Sequence, residues 1–311
     1  MAPTEPRVSV IVCAYTWHRW DVLRENIASV AKQTQPALET ILVIDHNPEL
    51  LEKAREVFAG IGIIANAGTR GISAARNTGV AVARGEILAF LDDDAVADET
   101  WLEELTRSYS DSAVIGTGGA PYPRWEGGRA PSWLPHEFYW TVGCGYRGLP
   151  GEAAPVRNPI GASMSFRREV FERVGGFRVG LGRVRKTPLG CEETELAIRA
   201  REAFPGGSVM HAPQARVEHL VPIERTSWSY FRARCWLEGQ SKALMTDNVG
   251  TATGLSSEWS YTLKTLPTGV LRGLREALRG KWSGLGRAGV IVAGLVITTA
   301  GYLKARLAVA R

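Results

Sequence analysis

The first 120 residues alternate short apolar runs with helical patterns, and that alternation constrains the fold more than any other feature. VSVIVCAY (8–15), ETILVIDHN (39–47), GIGIIANA (60–67) and EILAFLDDD (86–94) are continuous β-rich runs separated by helix-length segments. Strands buried on both faces read this way, as apolar runs without polar alternation, when helices cover both sides of a parallel sheet. The intervening segments agree. Leu23, Ile27 and Val30 share one helical face, PELLEKAREVF begins with Pro48 in its first turn, and GISAARNTGVAVARG is a small-residue helix closing at Gly85. DETWLEELTRSYS follows, with Asp98 as the expected cap, and leads into AVIGTGGAPY. The expected layout is doubly wound α/β.

From Pro121 to Pro159 the chain turns rich in Pro, Gly and Trp, a loop length that is usually functional inside a compact domain. Regular patterning returns with GASMSFRREVFERVGGF, a helix around CEETELAIRAREAF, two short β-like runs (GSVMHAP and ARVEHLV) and a long amphipathic helix from about Ser227 to Asp247.

Charge separates the end of the chain from the rest. Lys264 to Arg311 holds nine basic residues and one acid, Glu276, so this tail carries +8 while the preceding 263 residues sum to −3. A nucleic-acid-binding protein would carry a basic face through its body, so that class is disfavoured. Within the tail, Ala288–Leu303 is apolar and uncharged, but its 16 residues fall short of the roughly 20 that cross a bilayer as a straight helix. Basic flanks around it fit an interfacial anchor on an anionic membrane; an ordinary buried C-terminal helix is the plain alternative. Cys13, Cys144, Cys191 and Cys235 form no Cys-x-x-Cys pair, and MAPTEPR leads into a buried strand without a cleavage site. A reduced, cytoplasmic location is expected, with peripheral contact at the inner face of the membrane.

Asp92-Asp93-Asp94 closes the run ILAFL. Ligands of open parallel sheets collect at the carboxyl ends of strands, and residues 92 and 94 of an extended segment point the same way. Such a pair can offer oxygens to Mg²⁺ or Mn²⁺ on a diphosphate; a polar turn capping the next helix is the alternative. Tyr15, Asp45 and the segment NAGTRGISAARN, with Arg76 and Asn77, end or follow neighbouring strands and can converge on the same crevice. Each also has a plain reading: Tyr15 as a rim aromatic, Asp45 as a capping residue, Arg76 as a solvated helix charge. A GxGxxG after strand one and a P-loop are both missing, which disfavours dinucleotide and ATP chemistry.

Together these motifs resemble the family 2 glycosyltransferases of the GT-A fold over about Arg7 to Val221. The resemblance implies a Rossmann-like, mostly parallel sheet covered by helices; the tail beyond it reads as a helical, basic C-terminal extension. It implies a GT-A domain over 1–225, divided near 120 into nucleotide-binding and acceptor halves, and a separate extension over 226–311. Tyr15 would stack on the nucleotide base and Asp45 would hydrogen-bond it. Arg76 and Asn77 match the Ala-Arg-Asn segment that lines the nucleotide pocket, Asp92 the acid on the ribose, Asp93 its neighbour on the cofactor side, and Asp94 the metal ligand. GCEETEL is similar to the family's Glu-Asp-x-Asp/Glu-Leu stretch, which makes Glu193 the catalytic base; a negatively charged first helical turn explains EETE equally simply. His219 is a further candidate metal ligand. The implied activity is metal-dependent, inverting transfer of one sugar from a UDP- or GDP-sugar to a glycan, lipid-linked or small-molecule hydroxyl; the tail's own charges add the expectation of peripheral membrane contact through 264–311. The rival is a non-catalytic nucleotide-sugar-binding or membrane scaffold protein of the same fold.

Overall fold

The computed structural model describes residues 6–180, 190–249 and 260–309; Met1–Glu5 and the basic Arg311 lie outside them. Strand β1 (Val8–Ala14) shows why its apolar run is continuous. Val8, Val10, Val12 and Ala14 enter one hydrophobic cluster with Leu23 and Ile27 of helix α1 (Trp20–Ala31) and Leu50 of α2 (Pro48–Val57). Ile11 enters the other, with Ala75 of α3 (Ile72–Val82) and Leu196 of α6 (Glu192–Ala203). Both faces of the strand are dry, and the polar Ser9 is buried with its hydroxyl donating to Glu39 Oε1 and accepting the Gly85 N–H, both at 2.7 Å. The small residues of α3 have a matching cause: a methyl on Gly79 would come within 2.6 Å of Ile11 Cγ2, so this helix lies directly on the sheet.

β2 (Glu39–Ile44), β3 (Gly62–Ala65) and β4 (Ile87–Asp92) join β1 in the order β3-β2-β1-β4, all three pairings parallel. β8 (Ser163–Arg167), which leads into α5 (Arg168–Val174), then inserts antiparallel between β4 and β6 (Val114–Trp125), so β6 runs in the direction of β4. β9 (Ser208–Val221) follows, pairing antiparallel with β5 (Ala95–Ala97) and β7 (Ala154–Val156).

The structure differs from the expected elements in four places. GSVMHAP and ARVEHLV form the single strand β9, because Val209–His211 pairs with β7 while Val217–His219 pairs with β5. Asp98 does not cap through its side chain; its carbonyl oxygen accepts the Trp101 N–H at 2.9 Å where α4 (Trp101–Thr106) begins. α7 (Trp228–Val249) forms within two residues of the expected bounds but does not gather its apolar residues on one face: Phe231, Cys235 and Met245 are buried while Trp228 and Leu244 are exposed. The Pro- and Gly-rich segment contains a 3₁₀ helix, His136–Val142, as well as β7.

Two compact units divide the chain: Met1–Tyr122 with Pro150–His219, and Pro123–Leu149 with Leu220–Arg311. The second has its own core, in which Leu134, Phe138 and Val142 pack with Phe231 and Cys235 of α7, Leu266 of α8 (Leu266–Leu278) and Ile291 of α9 (Ser283–Val309).

Candidate active site

All nine residues singled out in the sequence fall in the first unit. β4 delivers the acids. Asp92 is its last residue and pairs across the ladder with Cys13 of β1, while Asp93 and Asp94 form the turn into β5. The turn, not an extended backbone, orients them. His219 of β9 sits opposite Ala95 of β5, which sets its imidazole beside Asp94, with Nε2 at 3.3 Å from Oδ1. One ligand atom each from Asp92, Asp94 and His219 lie within 4.8 Å of one another. Two carboxylate oxygens and an imidazole nitrogen form a donor set that suits a divalent cation, and the imidazole favours a first-row transition metal such as Mn²⁺ over Mg²⁺.

Two arginines hold the acids. Arg76 projects from α3 and is only 3% exposed. Its Nη1 donates to Glu192 Oε1 at 3.0 Å, and its Nη2 donates to Asp92 Oδ1 at 3.0 Å and to the Gly161 carbonyl at 3.1 Å. Burial alone would lower its pKa, but Asp92 and Glu192 outweigh that and keep the guanidinium firmly charged. Arg76 is thus not a solvated helix charge; it ties β4 to α6. Arg19, from the 3₁₀ turn Trp17–Arg19 after β1, bridges the other two acids. It donates to Asp93 Oδ1 through Nη1 and to Asp94 Oδ2 through Nη2 at 2.9 Å, and lies 5.6 Å from the Tyr15 ring centre. Burial pushes the Asp93 carboxyl up to about 6, against the pull of Arg19 and with the help of neighbouring Asp94. Asp93 Oδ2 is buried with no hydrogen-bond partner. Four carboxylates, Asp92, Asp93, Asp94 and Glu192, thus face two guanidiniums, and a divalent cation would balance the excess.

Arg19 escaped the sequence reading. Its only signal was a basic residue just after strand one, facing three acids that end a neighbouring strand.

Glu193 occupies the first turn of α6, behind Cys191, which adopts a left-handed φ of 73°. A methyl on Gly161 would lie 4.0 Å from Glu193 Oε2 and 3.4 Å from Arg76 Nη2, so this carboxylate borders the Arg76 cluster. Glu195 faces away from it, fully buried, with both oxygens held at 2.7 Å by Arg199.

Tyr15 is 41% exposed beyond the end of β1. Asp45, just past β2, accepts from Asn66 Nδ2 at 2.6 Å and from the Gly71 N–H at 3.0 Å, with His46 Nδ1 2.8 Å from Oδ1. Oδ2 takes only the Gly71 bond among these and has capacity for another donor. Asn77 is different. Its amide donates to the Phe177 carbonyl and accepts the Phe177 N–H, both at 2.8 Å, so it clamps α3 to the chain after α5.

This geometry has relatives. The family profile described as "Glycosyl transferase family 2" matches residues 9–175. The chain belongs to that family. A curated relative from Haloferax volcanii, a glucosyl-dolichyl phosphate glucuronosyltransferase, is 35% identical over 243 residues, 77% of each chain. The succinoglycan biosynthesis protein ExoM of Rhizobium meliloti is 26% identical over 274 residues, 84% of this chain and 82% of its own. Among solved structures, the mannosyltransferase PcManGT from Pyrobaculum calidifontis, in complex with GDP-Man and Mn²⁺, superposes with a TM-score of 0.61 at 17% identity, covering 97% of this chain and 88% of that one. GalNAc-T7 with UDP, GalNAc and Mn²⁺ gives 0.55 at 20% identity, covering 83% of this chain and 54% of that one. The family 2 chain is therefore a glycosyltransferase of GT-A architecture, and of these two structural neighbours one holds GDP-Man with Mn²⁺ and the other UDP and GalNAc with Mn²⁺.

Proposed function

We propose that this glycosyltransferase moves one sugar, with inversion, from a nucleoside diphosphate sugar to an acceptor hydroxyl, and that it depends on Mn²⁺ or Mg²⁺. The observation that carries the proposal is the meeting of Asp92, Asp94 and His219 where β4 ends. Asp94 and His219 would hold the cation, with Asp92 beside them for the ribose or the metal. A divalent cation there supplies positive charge to a departing diphosphate. Arg19 keeps Asp93 and Asp94 in place before any ligand arrives. Tyr15 offers its exposed ring to the base, Asp45 Oδ2 accepts from a base N–H, and Asn77 and Arg76 hold the pocket wall. Glu193 takes the acceptor's hydroxyl proton as that oxygen bonds to the anomeric carbon. The bond from that carbon to the diphosphate oxygen breaks on the opposite side, the electron pair leaves with the diphosphate, and the configuration inverts.

The name of the Haloferax relative supports a lipid-linked acceptor, because that protein's substrate is a glucosyl-dolichyl phosphate. A cytoplasmic location with peripheral membrane contact through the basic tail fits such an acceptor.

The test is release of nucleoside diphosphate from UDP- and GDP-sugars with Mn²⁺. Turnover should vanish with chelator and in Asp94→Ala, and Glu193→Gln should lose about 10²-fold or more in transfer. Wild-type turnover in folded Glu193→Gln, or in the presence of chelator, would remove these roles.

A further inference from the structure

We infer that the outer face of α8, together with the turn that follows it, is the surface through which the second unit docks on an anionic lipid bilayer. The inference rests on the membrane contact proposed above and names the elements that make it.

α8 carries two apolar stripes where an ordinary surface helix carries one. Leu266, Gly269, Gly273 and Ala277 are buried. A second stripe points to solvent at helical spacing: Leu271, Leu274 and Leu278, preceded by Leu263 in the π-helical turn Tyr261–Thr265 and continued past the helix by Trp282. Leu278 is 89% exposed and Trp282 is 73% exposed. Beside this stripe stand Lys264, Arg275, Arg279 and Lys281, all exposed, and the lone acid of the stretch, Glu276, is paired with Arg287. Leucines and a tryptophan flanked by cations match the chemistry of an interface where acyl chains meet acidic headgroups.

The longer apolar helix is not the element that contacts lipid by crossing it. α9 is long and apolar enough to span, with an 18-residue stretch inside it whose mean hydropathy is 1.6. However, it lies backbone to backbone on α7. A methyl on Gly239 would sit 2.6 Å from the Tyr302 amide nitrogen, and Gly301 is equally tight against Trp236. α7 carries Arg232, Arg234, Glu238 and Lys242, which a hydrocarbon core would not accept. A partner locked to that helix cannot cross without breaking these contacts. A second copy of the chain is a poor occupant for the α8 face, because the stretch from Lys264 to Arg306 has eight basic residues against one acid, and pairing two would oppose like charges.

The experiment is flotation of the full chain with vesicles of phosphatidylcholine alone or with about 30% phosphatidylglycerol, at low salt and at about 0.5 M salt. The wild type should float only with the anionic vesicles at low salt. Arg275→Gln with Arg279→Gln should weaken binding about 25-fold, roughly fivefold per charge. Leu278→Asp with Trp282→Asp should stay at the bottom of the gradient. Both double variants should keep wild-type far-UV circular dichroism and nucleoside diphosphate release without vesicles. Flotation that ignores lipid charge and resists alkaline carbonate would mean that α9 crosses, and overturns the inference. So would equal flotation of wild type and Leu278→Asp/Trp282→Asp, flotation of neither, or a dimer in light scattering that the double variant dissolves. Diphosphate release without flotation refutes this face and leaves the enzymatic reading standing; flotation without release does the reverse.

Discussion

Arg76→Met removes a guanidinium that three acceptors share while leaving an apolar side chain of similar length in a dry site. In the native structure Nη1 lies 3.0 Å from Glu192 Oε1, and Glu192 is 7% exposed with its other oxygen, Oε2, already without a partner. Without Arg76 that carboxylate is buried with neither oxygen paired to it. A unit charge pair about 4 Å apart is worth about 4 kcal/mol at an effective dielectric near 20, and breaking a buried pair by deleting one partner costs about 3–5 kcal/mol. The two routes agree at about 4 kcal/mol. Asp92 adds little, because its side chain is 31% exposed and water can solvate it once the arginine has gone. For a unit of this size the loss corresponds to a melting temperature lower by about 8–16 °C, measured by circular dichroism. Adding Glu192→Gln should return about 2 kcal/mol, since a buried neutral amide is much cheaper than an unpaired carboxylate. A shift smaller than that of a typical surface mutation, or a double variant no more stable than Arg76→Met, would refute the bridging role.

Arg19→Ala strips the guanidinium from Asp93 and Asp94 and should cost about 3 kcal/mol in urea denaturation. Arg19→Lys, which cannot fork between two carboxylates, should fall between that variant and the wild type; identical midpoints for all three would show that the pair is not held by this residue. Glu39 supplies a pH test away from the site. Burial would raise its carboxyl, but the Ser9 hydroxyl, the Arg84 backbone N–H and the Arg84 guanidinium outweigh it and hold the group below its ordinary value of 4.5. A carboxyl lowered on folding adds stability that is fully present above 4.5 and lost as pH falls through the folded value. Glu39→Gln should therefore melt lower than wild type at pH 7 and converge with it in acid, as melting curves across that range would show. A constant gap at every pH would point to packing instead.

The motifs that mattered were readable because they are local. Apolar runs state that both faces of β1 and β4 are covered, although the edge strand β3 stays partly exposed, and three acids after ILAFL must lie where a β4 strand stops, whatever its neighbours. The first turn of α6 could likewise be placed from its own charges. What these acids touch was not readable. Arg76 and Glu192 are 116 residues apart, and Arg19 meets Asp93 across 74. The composition of α3 allowed Arg76 to be a solvated charge as well as a buried bridge, and it carried no sign that Asn77 clamps the backbone at Phe177. Periodicity reports how a segment meets water or core within a few residues, so it determined the strands, the helices and the strand-end position of the acids. Tertiary structure alone decided that β8 enters antiparallel between β4 and β6, that β9 brings His219 to Asp94, and that two arginines, Arg19 from the 3₁₀ turn after β1 and Arg76 from α3, divide the acids between them. Those choices come from closing the sheet, which brings together side chains that no local pattern connects.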